Sequence, residues 1–283
     1  MRINFYNRGQ SLIVIGIIIV LVVVGLIGGL HYYLSKQIPE VSEITKKPAE
    51  EEAAKPEDEI VQEEDVASSK EEISPKFVCG DSVTFTYKGS SVTYGTVESQ
   101  GECWMDRNLG ASRRATAYND SWAYGDLFQW GRLDDGHQTR YRGITTTLSS
   151  TDVPGHSNFI YGQTSVPYDW RKPQNDNLWQ GVSGINNPCP SGWRIPTETE
   201  WETERLSWSS NDWNGAFTSP LKLTVGGRRD YHFADYEFVG DIGYYWSSTV
   251  SGMYARSLSF TDYLAGMGNR FRAFGFSVRC IKD

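Results

Sequence analysis

The sequence predicts one folded domain of mixed strand and helix, carried behind an N-terminal membrane segment and an acidic stalk. Three observations predict it. The composition is uneven, running from an apolar leader through an acidic stretch into a Gly- and Trp-rich remainder, with all ten tryptophans between Trp104 and Trp246. A hairpin signal opens that remainder at residues 82–94. A helix start with a capping box follows at Thr197. At 283 residues the chain has room for one large domain or two small ones, and the compositional break favours one domain with a leader.

Residues 11–30, SLIVIGIIIVLVVVGLIGGL with Ser11 and Leu30 at the ends, form an uncharged run of 20 residues, enough to span a bilayer as a helix. Arg2 and Arg8 precede it and only Lys36 follows closely. The positive-inside bias therefore puts residues 1–10 in the cytoplasm and the bulk of the chain outside, as a single-pass cell-membrane protein. Tyr32 and Tyr33 sit where interfacial aromatics anchor a span, so the helix is drawn over 11–33. A cleaved signal fits less well, because the run is long and no A-x-A-like site follows.

Residues 34–76 read as a disordered acidic linker. Thirteen carboxylates against five lysines between Glu40 and Lys76 account for the whole formal charge of −8. Such a segment buries too little apolar surface to offset its ordering entropy. The folded part is left near neutral, with no basic footprint for nucleic acid.

The domain runs over 77–283. SVTFTY (82–87) and SVTY (91–94) flank Lys88-Gly89-Ser90, a hairpin pattern. Residues 110–187 are long, loop-rich and poor in periodic runs. Residues 123–132 (AYGDLFQWGR) are their best short helix or buried segment, and Trp122, Trp130, Trp170 and Trp179 are expected to pack the loops down. In Pro196-Thr197-Glu198-Thr199-Glu200-Trp201, Thr197 caps a helix and Glu200 reaches back. Trp201 is then expected inward, with Glu202 and Glu204 outward.

Four cysteines, Cys79, Cys103, Cys189 and Cys280, show neither CxxC nor zinc-ligand spacing. An even count outside the membrane favours two disulfides, with three pairings open. Cys79 with Cys103 and Cys189 with Cys280 are preferred: the first closes a short local segment, and the second staples the chain end to its middle, worth about 4 kcal/mol by loop closure.

Several motifs together resemble a known family. Cys103-Trp104-Met105 with Asn108-Leu109, Tyr124-Gly125 with Leu127 and Trp130, and Cys189-Pro190-Ser191-Gly192-Trp193-Arg194-Ile195-Pro196-Thr197 with Glu200-Trp201 come first. Leu221-Lys222-Leu223, Gly243-Tyr244-Tyr245-Trp246-Ser247-Ser248 and Ser277-Val278-Arg279-Cys280 complete the set. In this order they resemble the Fib-succ-major (FISUMP) domain, a branch of the C-type-lectin-like fold close to the formylglycine-generating-enzyme type. The resemblance implies an α+β, C-type-lectin-like domain whose two ends meet. Arg8-Gly9-Gln10-Ser11-Leu12 also resembles a type IV pilin-like processing site, but Val14 stands where that family usually has Glu.

The C-terminal stretch carries a narrower resemblance, to the variable proteins of diversity-generating retroelements, in which adenines of mostly AAC codons are randomised. Tyr254, Ser257, Ser259, Thr261, Asp262, Tyr263, Leu264, Gly266, Gly268, Asn269, Phe271 and Phe274 are all residues such codons reach. Ala255, Arg256, Leu258, Phe260, Ala265, Met267, Arg270, Arg272 and Ala273 would be the fixed scaffold. Alternation turns Leu258 and Phe260 inward and Ser257 and Ser259 outward, while residues 261–274 read as a looped surface. Tyr, Phe, Ser, Gly and Asn are also the residues of antibody-like binding surfaces.

The expected function is a membrane-anchored extracellular binding protein for an unknown protein or surface ligand, with those twelve residues as contacts. A pilin-like or structural envelope role is the alternative. An enzyme of the formylglycine-generating type is disfavoured, because that chemistry needs reactive or metal-binding cysteines and Cys280 is assigned to a bridge. His137 beside Asp134 and Asp135, and His156 near Asp152, read as loop residues, and no catalytic pattern surrounds them. No cofactor or metal is expected; the EPN and QPD triplets of calcium-dependent lectins are absent.

Overall fold

Tight turns begin the fold. The computed structural model describes residues 76–283, and the expected cytoplasmic tail, membrane helix and linker up to residue 75 lie outside the described residues. Strand β1 (Val83–Tyr87) pairs antiparallel with β2 (Ser90–Tyr94), with Tyr87 opposite Ser90. The two residues between them, Lys88 and Gly89, both have positive φ (49° and 74°), the backbone that a two-residue hairpin with right-handed twist requires. β3 (Thr96–Ser99) and β4 (Glu102–Met105) form a second hairpin of the same kind.

Short strands follow: β5 (Phe128–Gln129), β6 (Ile144–Thr145), β7 (Phe159–Ile160) and β8 (Trp193–Arg194). Residues 123–132 are a buried segment and not a helix. Phe128 and Gln129 satisfy their backbone across a sheet instead, and only Ser121–Ala123 winds into one 3₁₀ turn. Trp130, Trp170 and Trp179 are fully buried, whereas Trp122, expected to join them, is 66% exposed on that turn.

Helix α1 (Glu198–Leu206) starts at the expected capping box: the Glu200 backbone N–H donates to Thr197 Oγ1 while the Glu200 carboxylate accepts from the Thr197 N–H. Trp201 is buried as expected. Glu204, expected outward, is fully buried, because Ser99 Oγ and Trp208 Nε1 donate to its carboxylate at 2.6 and 3.1 Å. Helix α2 (Trp213–Thr218) is capped by Asp212.

The chain then adds β9 (Arg228–Arg229), β10 (Tyr236–Glu237), the three-stranded meander β11 (Gly243–Ser251), β12 (Tyr254–Phe260) and β13 (Ala265–Phe271), and finally β14 (Gly275–Phe276) and β15 (Ile281–Lys282). The result is a mostly-sheet α+β domain with few helices. Among the described residues no helix is long and apolar enough to cross a membrane.

The two ends of the domain meet in one sheet of order β3-β4-β15-β8, where Ile281 pairs with both Trp104 and Arg194. Both preferred disulfides are present, Cys79–Cys103 and Cys189–Cys280, the latter closing 91 residues beside that sheet. Alternation along β11 feeds two cores: Tyr244 and Trp246 join the cluster of Trp130, Trp170 and Phe276, and Tyr245 joins Trp104, Trp201, Leu258 and Phe260. Two of the buried indoles find carbonyl partners across the cores: Trp201 Nε1 donates to Trp246 O (3.0 Å), and Trp246 Nε1 to Phe128 O (2.7 Å).

Candidate functional site

The stretch singled out in the sequence folds as the β12–β13 hairpin and the segment leading to β14. β13 pairs with β12 from Tyr254↔Phe271 to Phe260↔Ala265 without a break. The expected looped surface over 261–274 is therefore corrected to a four-residue turn and a strand. Two interactions with the α2 region hold the turn: the Trp213 N–H donates to Thr261 O (2.7 Å), and Asn211 Nδ2 donates to Ala265 O (3.0 Å). Within it, Thr261 N–H donates to Leu264 O (2.8 Å), and Thr261 Oγ1 accepts from the Tyr263 and Leu264 N–H groups.

The twelve residues occupy three environments. At the turn, Asp262, Tyr263 and Leu264 are exposed, with Tyr263 at 78% and Leu264 at 57%. Tyr263 and Leu264 border a shallow cleft of about 250 Å³ with Ser259, Gly266, Gly268 and Arg270 on its floor and walls. Asn269 is exposed on β13.

At the other end of the hairpin, Tyr254 and Phe271 are half-buried in an aromatic cluster. The Phe271 ring lies 5.0 Å from Tyr254, 4.5 Å from Tyr168 and 5.4 Å from Tyr231. Phe274 is buried beneath, 4.6 Å from Tyr231, with the Arg228 guanidinium 4.6 Å over its ring. Ser257, expected outward, is fully buried opposite Gly268 and Trp246, and its hydroxyl has no hydrogen-bond partner among the described residues. Leu258 and Phe260 face inward as expected.

Arg270, assigned to the scaffold, lines the cleft. Burial pushes its pKa down, and the like charges of Arg228 and Arg256 act in the same direction. Those two neighbours are already paired, Arg228 with Glu237 and Arg256 with Glu198. Among the described residues Arg270 has no carboxylate partner, and its one hydrogen bond runs from Nη1 to Asn269 O at 3.1 Å.

No family model, curated protein or solved structure matches the chain.

Sequence reasoning missed Tyr168, Tyr231 and Arg228, which complete the aromatic end of the surface from two loops and from β9. The run Arg228-Arg229-Asp230-Tyr231-His232-Phe233, charged and aromatic without strand or helix period, was the available signal. His137 has both ring nitrogens occupied by the fold. Nε2 accepts from the Gln129 N–H (3.0 Å), so Nδ1 carries the proton that meets Asp135 Oδ1 at 2.6 Å. Burial pushes its pKa down, and the ring is neutral. Among the described residues no three His, Cys, Asp or Glu side chains converge to hold a metal ion.

Proposed function

We propose that the chain is a surface-displayed binding protein, anchored through residues 11–30, that meets its ligand with the β12–β13 hairpin. The observation that carries this reading is the exposed Tyr263–Leu264 pair, held over an open cleft by a turn whose Thr261, Tyr263 and Leu264 N–H groups are all hydrogen-bonded. Rigid aromatic and aliphatic anchors beside small polar residues lose little entropy on binding. The motif order of the FISUMP domain and the AAC-derived residue set support the same reading, with the surface as the part that varies between copies. The glycines at 266 and 268 have no left-handed φ, so their backbone accepts other side chains.

The test is photocrosslinking of the full-length chain in its own membrane, with a benzoylphenylalanine at position 263 and, as control, at exposed position 122. A discrete adduct from 263 alone is expected. No adduct at 263, or the same adducts at both positions, would sink the proposal.

A further inference from the structure

Arginine 270 is out of place as a scaffold residue. A guanidinium carries five N–H donors in a fixed fork, and burying it unpaired is costly. Nine of the domain's arginines are paired with carboxylates, and Arg140, Arg229 and Arg279, which are not, each donate to two or more carbonyl or amide oxygens, whereas Arg270 is half-buried with one bond to its neighbour's carbonyl. Its side chain folds back over Gly268: a Cβ built there would lie 3.0 Å from Nη1. Gly266, the next position on that face, has open space above it. The absent side chains thus leave a cleft with a cation at one end, the Ser259 hydroxyl opposite Gly266, and Tyr263 and Leu264 at the lip.

We propose that Arg270 reads an acidic side chain: a protein or peptide ligand inserts an Asp or Glu into this cleft, and its carboxylate pairs with the guanidinium fork. The inference rests on the hairpin being the binding surface and deepens that reading by giving its ligands a common chemistry. One guanidinium matches the single charge of a carboxylate bidentately. A doubly charged phosphate would need a second free cation, and Arg228 and Arg256 are committed to Glu237 and Glu198. Arg270 lies outside the twelve residues read as variable, so copies that keep glycine at 266 and 268 would keep the acidic preference.

The test is to pan a random peptide library against the full-length chain in detergent micelles, then measure the retained peptides on R270Q, R270K and Y263A. Retained peptides should be enriched in Asp or Glu, and R270Q should weaken them by about tenfold or more, with partial recovery in R270K. Replacing the peptide's acidic residue by its amide should have no further effect on R270Q, the signature of direct coupling. Unchanged melting of R270Q would exclude a folding defect. Peptides that lose affinity on Y263A but ignore R270Q, or carry no acid, would overturn the acidic reading and leave the surface standing. Peptides indifferent to both variants, or a library that yields nothing, would overturn both. If peptides bind only when the stalk carboxylates are changed to amides in the full chain, the chain's own acidic stretch is the occupant and the foreign ligand is wrong.

Discussion

The interior around Trp130 and the cleft at the β12–β13 hairpin both hold arginine, and treat it in opposite ways. Fully buried Arg132 donates to Asp135 Oδ2 through Nε (3.1 Å) and Nη2 (2.6 Å), and also to Gln129 Oε1, Asn158 O and His156 O. Arg272, 1% exposed, stacks over Trp130, and Nη2 donates to Asp176 Oδ1 (2.6 Å) and Gly252 O (3.0 Å). Only its Nε lacks a partner among the described residues. Arg270, two residues away, leaves its fork nearly empty. At Arg132 and Arg272 the fold fills most of the fork; at Arg270 it has left the fork to solvent or to a ligand.

The comparison breaks first at Asp135. Asp135→Ala would leave Arg132 buried without its carboxylate and take the acceptor from His137 Nδ1–H. The expected loss is about 3–5 kcal/mol, from denaturant unfolding. Arg270→Gln should change stability by no more than about 0.5 kcal/mol. Similar losses at both sites would mean that Arg270 is a structural residue.

Asp169 sharpens the comparison, since it is the interior's own exception. Asp169 is 3% exposed, its carboxyl accepts from Gln174 Nε2 (2.9 Å), and burial outweighs the opposing charge of Arg272, which is itself committed to Asp176. Burial pushes its pKa up to about 6, from an ordinary 3.8. With the folded value raised, the native state binds the extra proton between about pH 4 and 6, so this group's stability contribution falls as pH rises through that window. Above it, ionised Asp169 costs the fold about 3 kcal/mol. Asp169→Asn should therefore melt higher than the parent at pH 7 and converge with it toward pH 4. The difference between the two profiles isolates Asp169 from His137, whose lowered pKa acts in the opposite direction. A variant no more stable at pH 7 would show that the carboxylate is well solvated.

Much of this was legible in the residues. The hairpin at Lys88-Gly89, the Thr197 capping box and the inward Leu258 and Phe260 follow from local rules of turn, cap and alternation. Glu204 and Ser257 were misplaced because their burial depends on residues outside their own segment: Ser99 is 105 residues from Glu204, and Ser257 is covered from β11 and β13; Trp122 was misplaced because a 3₁₀ turn holds it out at the surface. Strand β13 was missed because Gly266 and Gly268 erase its period; pairing with β12 makes it a strand. The cleft was unreadable for the same reason. A cleft made of absent side chains, with Arg270 folded across one of them, leaves no pattern in sequence.

The smallest expected effects separate scaffold from surface within one meander. A Cβ on Gly243 would meet the Phe260 ring at 2.2 to 2.7 Å, and that ring is locked in the core beside Tyr245 and Trp208. Gly243→Ala should cost about 1–3 kcal/mol through overpacking. A Cβ on Gly266 meets nothing within 4 Å, and its φ is not left-handed. Gly266→Ala should therefore be neutral or stabilise by up to about 1 kcal/mol, by narrowing the unfolded chain's freedom. Gly266→Tyr extends the test, since a variable surface must carry large side chains there at no cost to folding. If Gly266→Tyr unfolds as Gly243→Ala does, the floor of the cleft is core, and the hairpin is not where this protein binds.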